Sequence, residues 1–159
     1  MPIIVSFINT VFDRFRDEKD CGILTLTHIY LLIGCSSPLW LCHNLYHSNR
    51  ILLASGIMSI GIGDTVASVV GITFGQRKWP KSRKTYLGTF GFFLSHSISF
   101  ILFDYYFNGN FFNFVNPSHP LVIKVLIIST ISCLYETFTK HVDNLILPLI
   151  EYLLIRILF

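Results

Sequence analysis

Apolar residues run along this chain in long blocks separated by short polar stretches. A membrane span needs about 20 mostly apolar residues, and four blocks reach that length: roughly 23–45, 51–75, 86–107 and 120–139. A fifth, about 144–159, is shorter and holds Glu151 and Arg156, which predicts a tilted, incomplete or bundle-packed helix. Ahead of them, residues 3–12 form an apolar run too short to span. It leads into the mixed-charge patch Asp13–Asp20. Acids and bases with no small-residue cleavage site argue against a signal peptide there. The pattern predicts an all-α fold, a polytopic transmembrane helical bundle of four to five spans, as one domain over residues 1–159.

Composition strengthens that reading. The chain is 52% hydrophobic and 13% charged, against about 25% charged residues in soluble domains. Cys21, Cys35, Cys42 and Cys133 show neither CxxC pairing nor zinc-finger spacing. Three of them lie in or beside apolar blocks, where buried structural thiols are common. The one Asn-X-Ser sequence, Asn116–Pro117–Ser118, has proline in its middle position and is no glycosylation acceptor.

The distribution of charge sets an orientation. Residues 76–85 gather five of the twelve Lys and Arg residues, so this loop is expected on the cytoplasmic side. Counting spans from it puts Asn108–His119 on the far side, and both Thr137–Asn144 and Asp13–Asp20 on the cytoplasmic side. The basic loop and the 136–144 turn are thereby expected to share one membrane face.

In the second block Ser55, Ser59, Gly63, Ala67, Gly71 and Gly75 recur every four residues, and the third carries Gly91, Ser95 and Ser99. Small-residue ridges let helix backbones approach closely in lipid, so these two helices are expected to pack together.

Three polar groups stand out against this background. Asp64 lies inside the second block, four residues before Ser68 and thus on the same helix face. A carboxylate in a span is costly and marks a functional-site hypothesis: it suits Mg²⁺ or a substrate hydroxyl, or else a structural pairing. Arg77, Lys78, Lys81, Arg83 and Lys84 suit the phosphates of a nucleotide, or anionic lipid headgroups. Lys84–Thr85 is followed by Gly88–Thr89 at the start of the third block, and a helix start with small residues presents N–H groups to phosphate. Glu136, Lys140 and Asp143, at i, i+4 and i+7, are expected on one helix face, with Asn144 next. The two carboxylates and the amide would complete an oxygen-ligand Mg²⁺ site, or Glu136 and Lys140 would form an ordinary i, i+4 ion pair with Asp143 as a helix-end acid. His43 and His47 are a weak zinc candidate, His96 reads as a hydrogen-bonded bundle residue, and Tyr105, Tyr106, Phe111, Phe112 and Phe114 as an interfacial aromatic belt.

The run Gly63–Asp64–Thr65–Val66–Ala67–Ser68, then Gly75, Trp79, Pro80, Lys84, Thr85, Gly88 and Thr89, closely resembles the C-terminal part of the dolichol kinases. So do Glu136–Thr137–Phe138–Thr139, Asp143–Asn144–Leu145 with Leu147–Pro148, and Asp17–Asp20 running through Thr27–Leu32. The resemblance implies a multi-pass endoplasmic-reticulum enzyme that transfers the terminal phosphate of CTP to dolichol, giving the lipid carrier used in glycosylation. It implies CTP binding along Gly75, Arg77, Lys78, Trp79, Pro80, Lys81, Arg83, Lys84, Thr85, Gly88 and Thr89. Where the family usually has Glu, this chain has Leu87.

The expected mechanism is in-line phosphoryl transfer at the cytoplasmic face, with Asp64, Glu136 and Asp143 as catalytic carboxylates and Asp64 with Asp143 as Mg²⁺ ligands. Ser68 and Asn144 are accessory positions. The partners expected are CTP, a dolichol or polyprenol lipid and the membrane, with no nucleic acid and an open oligomeric state. The alternatives are a phytol or diacylglycerol kinase, a cytidylyltransferase, or a non-catalytic membrane protein.

Overall fold

The computed structural model describes residues 26–42, 50–80, 82–108, 121–139 and 143–159. Over these residues the chain is helical. Its elements are α1 (Leu26–Leu41), α2 (Arg50–Gly56), a π-helical segment (Ile57–Asp64), α3 (Thr65–Phe74), α4 (Tyr86–Asn108), α5 (Leu121–Phe138) and α6 (Asp143–Leu158). Each apolar block thus becomes helix, with ends displaced by only a few residues. From α2 through α3 the helix is one continuous rod, Arg50–Phe74. Among the described residues, this rod and Tyr86–Phe107 are the two helices long and apolar enough to cross a membrane. His43, His47, Phe111, Phe112 and Phe114 lie outside the described residues.

The rod is not the uniform α-helix that its sequence suggests. Its middle, Ile57–Asp64, is π-helical. Gly61 and Gly63 in that stretch have low α-helical propensity. The Thr65 hydroxyl donates to Ile60 O at 3.3 Å, five residues back.

The rod packs on α4, α4 on α5, and α5 on α6, while α6 also covers α1 and α2. The small-residue ridges bring the rod and α4 close together. A Cβ on Gly63 would sit 2.8 Å from the Phe92 ring, and one on Gly91 would sit 3.2 Å from Val70 Cβ. Ser55, Ser59, Gly63 and Ala67 are all buried. Ile51, Met58, Phe100, Val125, Ile128 and Ile155 form one apolar cluster, and Ala67, Phe92, Cys133 and Leu147 another.

Alongside these apolar clusters the interior holds many polar side chains, and large apolar ones face outward. Ser55, Ser59, His96, Ser129, Ser132, Glu136, Thr137 and Glu151 are at most 1% exposed, whereas Leu32, Trp40, Ile72, Phe74 and Ile157 are each at least 67% exposed. Water would reject that surface and lipid accepts it. His96 fulfils its expected role as a bundle residue: its Nδ1 meets Ser129 Oγ at 3.0 Å, and its Nε2 meets Glu151 Oε2 at 2.9 Å.

Candidate active site

The basic loop between α3 and α4 is a small hairpin. Lys78 and Thr85 face each other as an antiparallel bridge. Trp79 N–H donates to Lys84 O at 3.0 Å, and Tyr86 N–H to Arg77 O at 3.1 Å. Ser82 N–H donates to Trp79 O at 3.2 Å, closing a turn with Pro80 at its second position, where proline's fixed φ fits. Thr85 then caps α4, its Oγ1 accepting from Gly88 N–H at 3.1 Å, as N-cap threonines do for the third helical residue.

Side chains fasten this hairpin to α4 and α5. Trp79 stacks on Tyr86 at 4.1 Å between ring centroids and meets Phe138 edge-on at 5.8 Å. Its Nε1–H donates to Thr89 Oγ1 at 3.0 Å, and Thr89 Oγ1 lies 2.9 Å from Thr137 Oγ1. Ser82 Oγ donates to Thr137 O at 2.9 Å while accepting from Lys84 N–H at 3.1 Å. Ser82 and Thr137 were not among the expected site residues. Thr137 stood beside Glu136 in a motif, but its partners are too distant in sequence to be read from spacing.

This anchoring delivers Lys84 between two acids. Its Nζ pairs with Glu136 Oε1 and lies 3.7 Å from Asp64 Oδ1. The Glu136 side chain is only 2% exposed, against 27% for Asp64 and 32% for Lys84. Residues from the rod, the hairpin and α5 therefore form one charged cluster.

Next to the cluster is a cavity of about 390 Å³, lined by Ala67, Ser68, Gly71, Ile72 and Gly75 of the rod's end, by Lys78, Arg83, Lys84, Thr85, Gly88 and Thr89, and by Glu136. Its floor exists because glycines meet there. A Cβ on Gly88 would lie 2.9 Å from Ala67 O and 3.0 Å from Thr85 Oγ1, and one on Gly71 would lie 3.0 Å from Thr85 Oγ1. Cations, a helix N-terminus and a glycine floor make a surface suited to phosphate groups.

The structure gathers most of the expected residues around one cavity. Ser68, Gly75, Lys78, Arg83, Lys84, Thr85, Gly88, Thr89 and Glu136 line the cavity, and Asp64 joins through Lys84. Trp79 is a fastening between loop and helices and does not line the cavity. Arg77 and Pro80 are exposed outside that lining, and Lys81 lies outside the described residues. Leu87, in the first turn of α4, is 46% exposed.

One expectation needs correcting. Glu136 and Asp143 do not share a continuous helical face, because α5 ends at Phe138 and Asp143 opens α6. Lys140 lies outside the described residues, and Glu136 has Lys84 as a partner from across the fold. Asn144 belongs to the first turn of α6, where its backbone carbonyl abuts Gly34 of α1. Among the described residues, no group of three or more His, Cys, Asp or Glu side chains could hold a metal ion on its own.

Fold and site together define a helical, lipid-compatible protein with a lysine–carboxylate centre beside a phosphate-type cradle. Comparison with known proteins leads to a particular group. The chain is 39% identical to human dolichol kinase and 37% identical to the mouse enzyme, each over 158 residues. These matches cover 95% of this chain and 28% of each relative, so the chain spans little more than a quarter of the length of the curated relatives it matches. Dolichol kinases from mammals, yeasts and a plant are thus homologous to it over at least 90% of its length. More distant matches are named farnesol kinase in Arabidopsis thaliana, 30% identical over 82% of this chain, and probable phytol kinase 2 in rice, 31% identical over 65%. No protein-family model and no solved structure matches.

Proposed function

We propose that this chain carries the phosphoryl-transfer site of a dolichol kinase, acting as a bundle of four to five spans at the cytoplasmic face of the endoplasmic reticulum. CTP is the donor and dolichyl phosphate, the carrier for protein glycosylation, is the product. The observation that carries this reading is Lys84, held between Asp64 and Glu136 at the edge of the glycine-floored cavity.

Phosphoryl transfer is chiefly positioning and charge neutralisation. Lys78, Arg83 and the start of α4 hold the phosphates, with Thr85 and Gly88 shaping the floor. Lys84 holds the carboxylates in register and meets the terminal phosphate. The dolichol oxygen bonds to the terminal phosphorus as the bond to the bridging oxygen breaks. CDP leaves, and a carboxylate, Asp64 or Glu136, takes the hydroxyl proton.

The donor set fits Mg²⁺, which protein sites commonly hold through one or two carboxylates together with substrate phosphates and water. Asp64, partly exposed beside Lys84, would be the first ligand, and Asp143 at the start of α6 would be the second that the sequence suggests. When bound, the ion neutralises charge on the phosphates. Among other acceptors, farnesol and phytol follow from the more distant relatives, while diacylglycerol and cytidylyl transfer have no support of that kind.

The test is CTP labelled separately at its α and γ phosphates, incubated with dolichol and membranes containing the protein. γ-label in a lipid phosphate is the expected result. α-label in lipid would establish a cytidylyltransferase, and no CTP binding would favour the non-catalytic alternative.

A further inference from the structure

A second cavity, of about 740 Å³, lies between the rod and α4, away from the basic hairpin. Ala54, Met58 and Ile62 line it from the rod, and Ser95, Ser99, Leu102 and Phe103 from α4. Its depth comes from small side chains: Ala54 on one wall, Ser95 and Ser99 on the other. Both serines turn their hydroxyls back onto their own helix, Ser95 Oγ donating to Phe92 O at 3.2 Å and Ser99 Oγ to His96 O at 2.8 Å. They therefore present little polarity to the groove.

One end is near Ile62, two residues before Asp64 in the same helical segment. The other end is aromatic. Phe103 and Phe107 lie 4.4 Å apart there, and Arg50 Nη1–H donates to Phe107 O at 3.1 Å, tying the start of the rod to the end of α4.

We propose that this groove is the tail subsite of the lipid-kinase site, that it grips only the isoprene units nearest the reacting hydroxyl, and that Ser95 and Ser99 determine its fit to a branched chain. This rests on the kinase reading above. From Ser95 to Phe107 the groove follows about 18 Å of helix at 1.5 Å per residue. An isoprene unit contributes four backbone bonds, about 5 Å by the dimensions that put 3.8 Å across three. The groove therefore holds roughly three to four units, and the rest of a long tail leaves into lipid. That length suits farnesol, phytol and the head of dolichol alike, the alcohols in the names of the relatives. Acceptor efficiency should rise with chain length to fifteen or twenty carbons and then level off.

The experiment is photolabelling with a diazirine-bearing twenty-carbon isoprenoid alcohol, without nucleotide, on the protein in membranes. Label is expected in peptides spanning 54–62 and 95–107. It should fall about tenfold in Ser99→Phe, the scale of a hydrophobic misfit in a tight pocket. Ser95→Leu, at a half-buried position, serves if Ser99→Phe does not fold. Label confined to other helices would overturn the proposal. So would label insensitive to both blocking variants, or equal label from a straight-chain alcohol probe, which would mark a general acyl-chain groove. Because labelling needs no phosphate transfer, groove labelling in a protein that transfers nothing would sink the kinase reading and leave the groove standing. Transfer by the wild type without groove labelling would do the reverse.

Discussion

Replacing Lys84 by Met tests how the site is held together. The substitution keeps most of the stem's length and bulk and removes the ammonium beside Glu136, whose side chain is only 2% exposed. Breaking a buried ion pair from one side costs about 3–5 kcal/mol. Lys84 is itself about one-third exposed, so the lower end, about 3 kcal/mol, is the reasonable figure. The more open Asp64 contact, at 3.7 Å, adds at most about 1 kcal/mol. In a chain of this length each kcal/mol lowers the thermal midpoint by about 2–4 °C, so Lys84→Met should melt roughly 6–12 °C below the wild type. The decisive assay is a double-mutant cycle in detergent with Glu136→Gln. Once the acid is neutral, removing the lysine should cost little, leaving a coupling of about 2–3 kcal/mol. Coupling below about 0.5 kcal/mol, the scatter of independent sites, would refute the claim that this pair organises the site.

Three further outcomes follow from the same geometry. Gly88→Ala puts a methyl 2.9 Å from Ala67 O; it should push α4 off the rod at a cost of about 1–3 kcal/mol and weaken CTP binding measured by equilibrium dialysis. Trp79→Phe keeps the stacking on Tyr86 and loses the bond to Thr89. It should raise the KM for CTP while costing only about 1 kcal/mol of stability, and an unchanged KM would show that the fastening does not shape the site. Glu151→Leu removes the partner of His96 Nε2 in the buried core and should lower the melting temperature. Loss of transfer with no loss of stability would instead place Glu151 in the chemistry.

Much of the architecture was legible in the sequence because apolar blocks bounded by charges leave few alternatives. The block at 86–107 and helix Tyr86–Asn108 nearly coincide. The ridge from Ser55 to Ala67 was legible too, since a period of four small residues has a direct packing meaning. The π-helical turn was not. Ile57–Asp64 has the composition of any apolar helix, and the wider turn shows only in the backbone.

At the site, the residue types were legible and their pairing was not. Lys84 reads from its loop as one phosphate-binding cation among five, while the fold also makes it the partner of two acids from other helices. Glu136 and Asp143 read as one helical face because periodicity carries no sign of the break after Phe138. The roles of Ser82 and Thr137 depend on a contact between segments 55 residues apart, beyond the reach of any local pattern.

The most direct test of the central claim is γ-phosphate transfer from labelled CTP to dolichol by membranes containing the protein, compared with Asp64→Asn expressed to the same level. The account predicts labelled dolichyl phosphate from the wild type and at least about a hundredfold less from the variant, the scale of losing a positioned acid–base group. Transfer by Asp64→Asn at near wild-type rate would contradict it, and the charged cluster around Lys84 would then be a structural clamp.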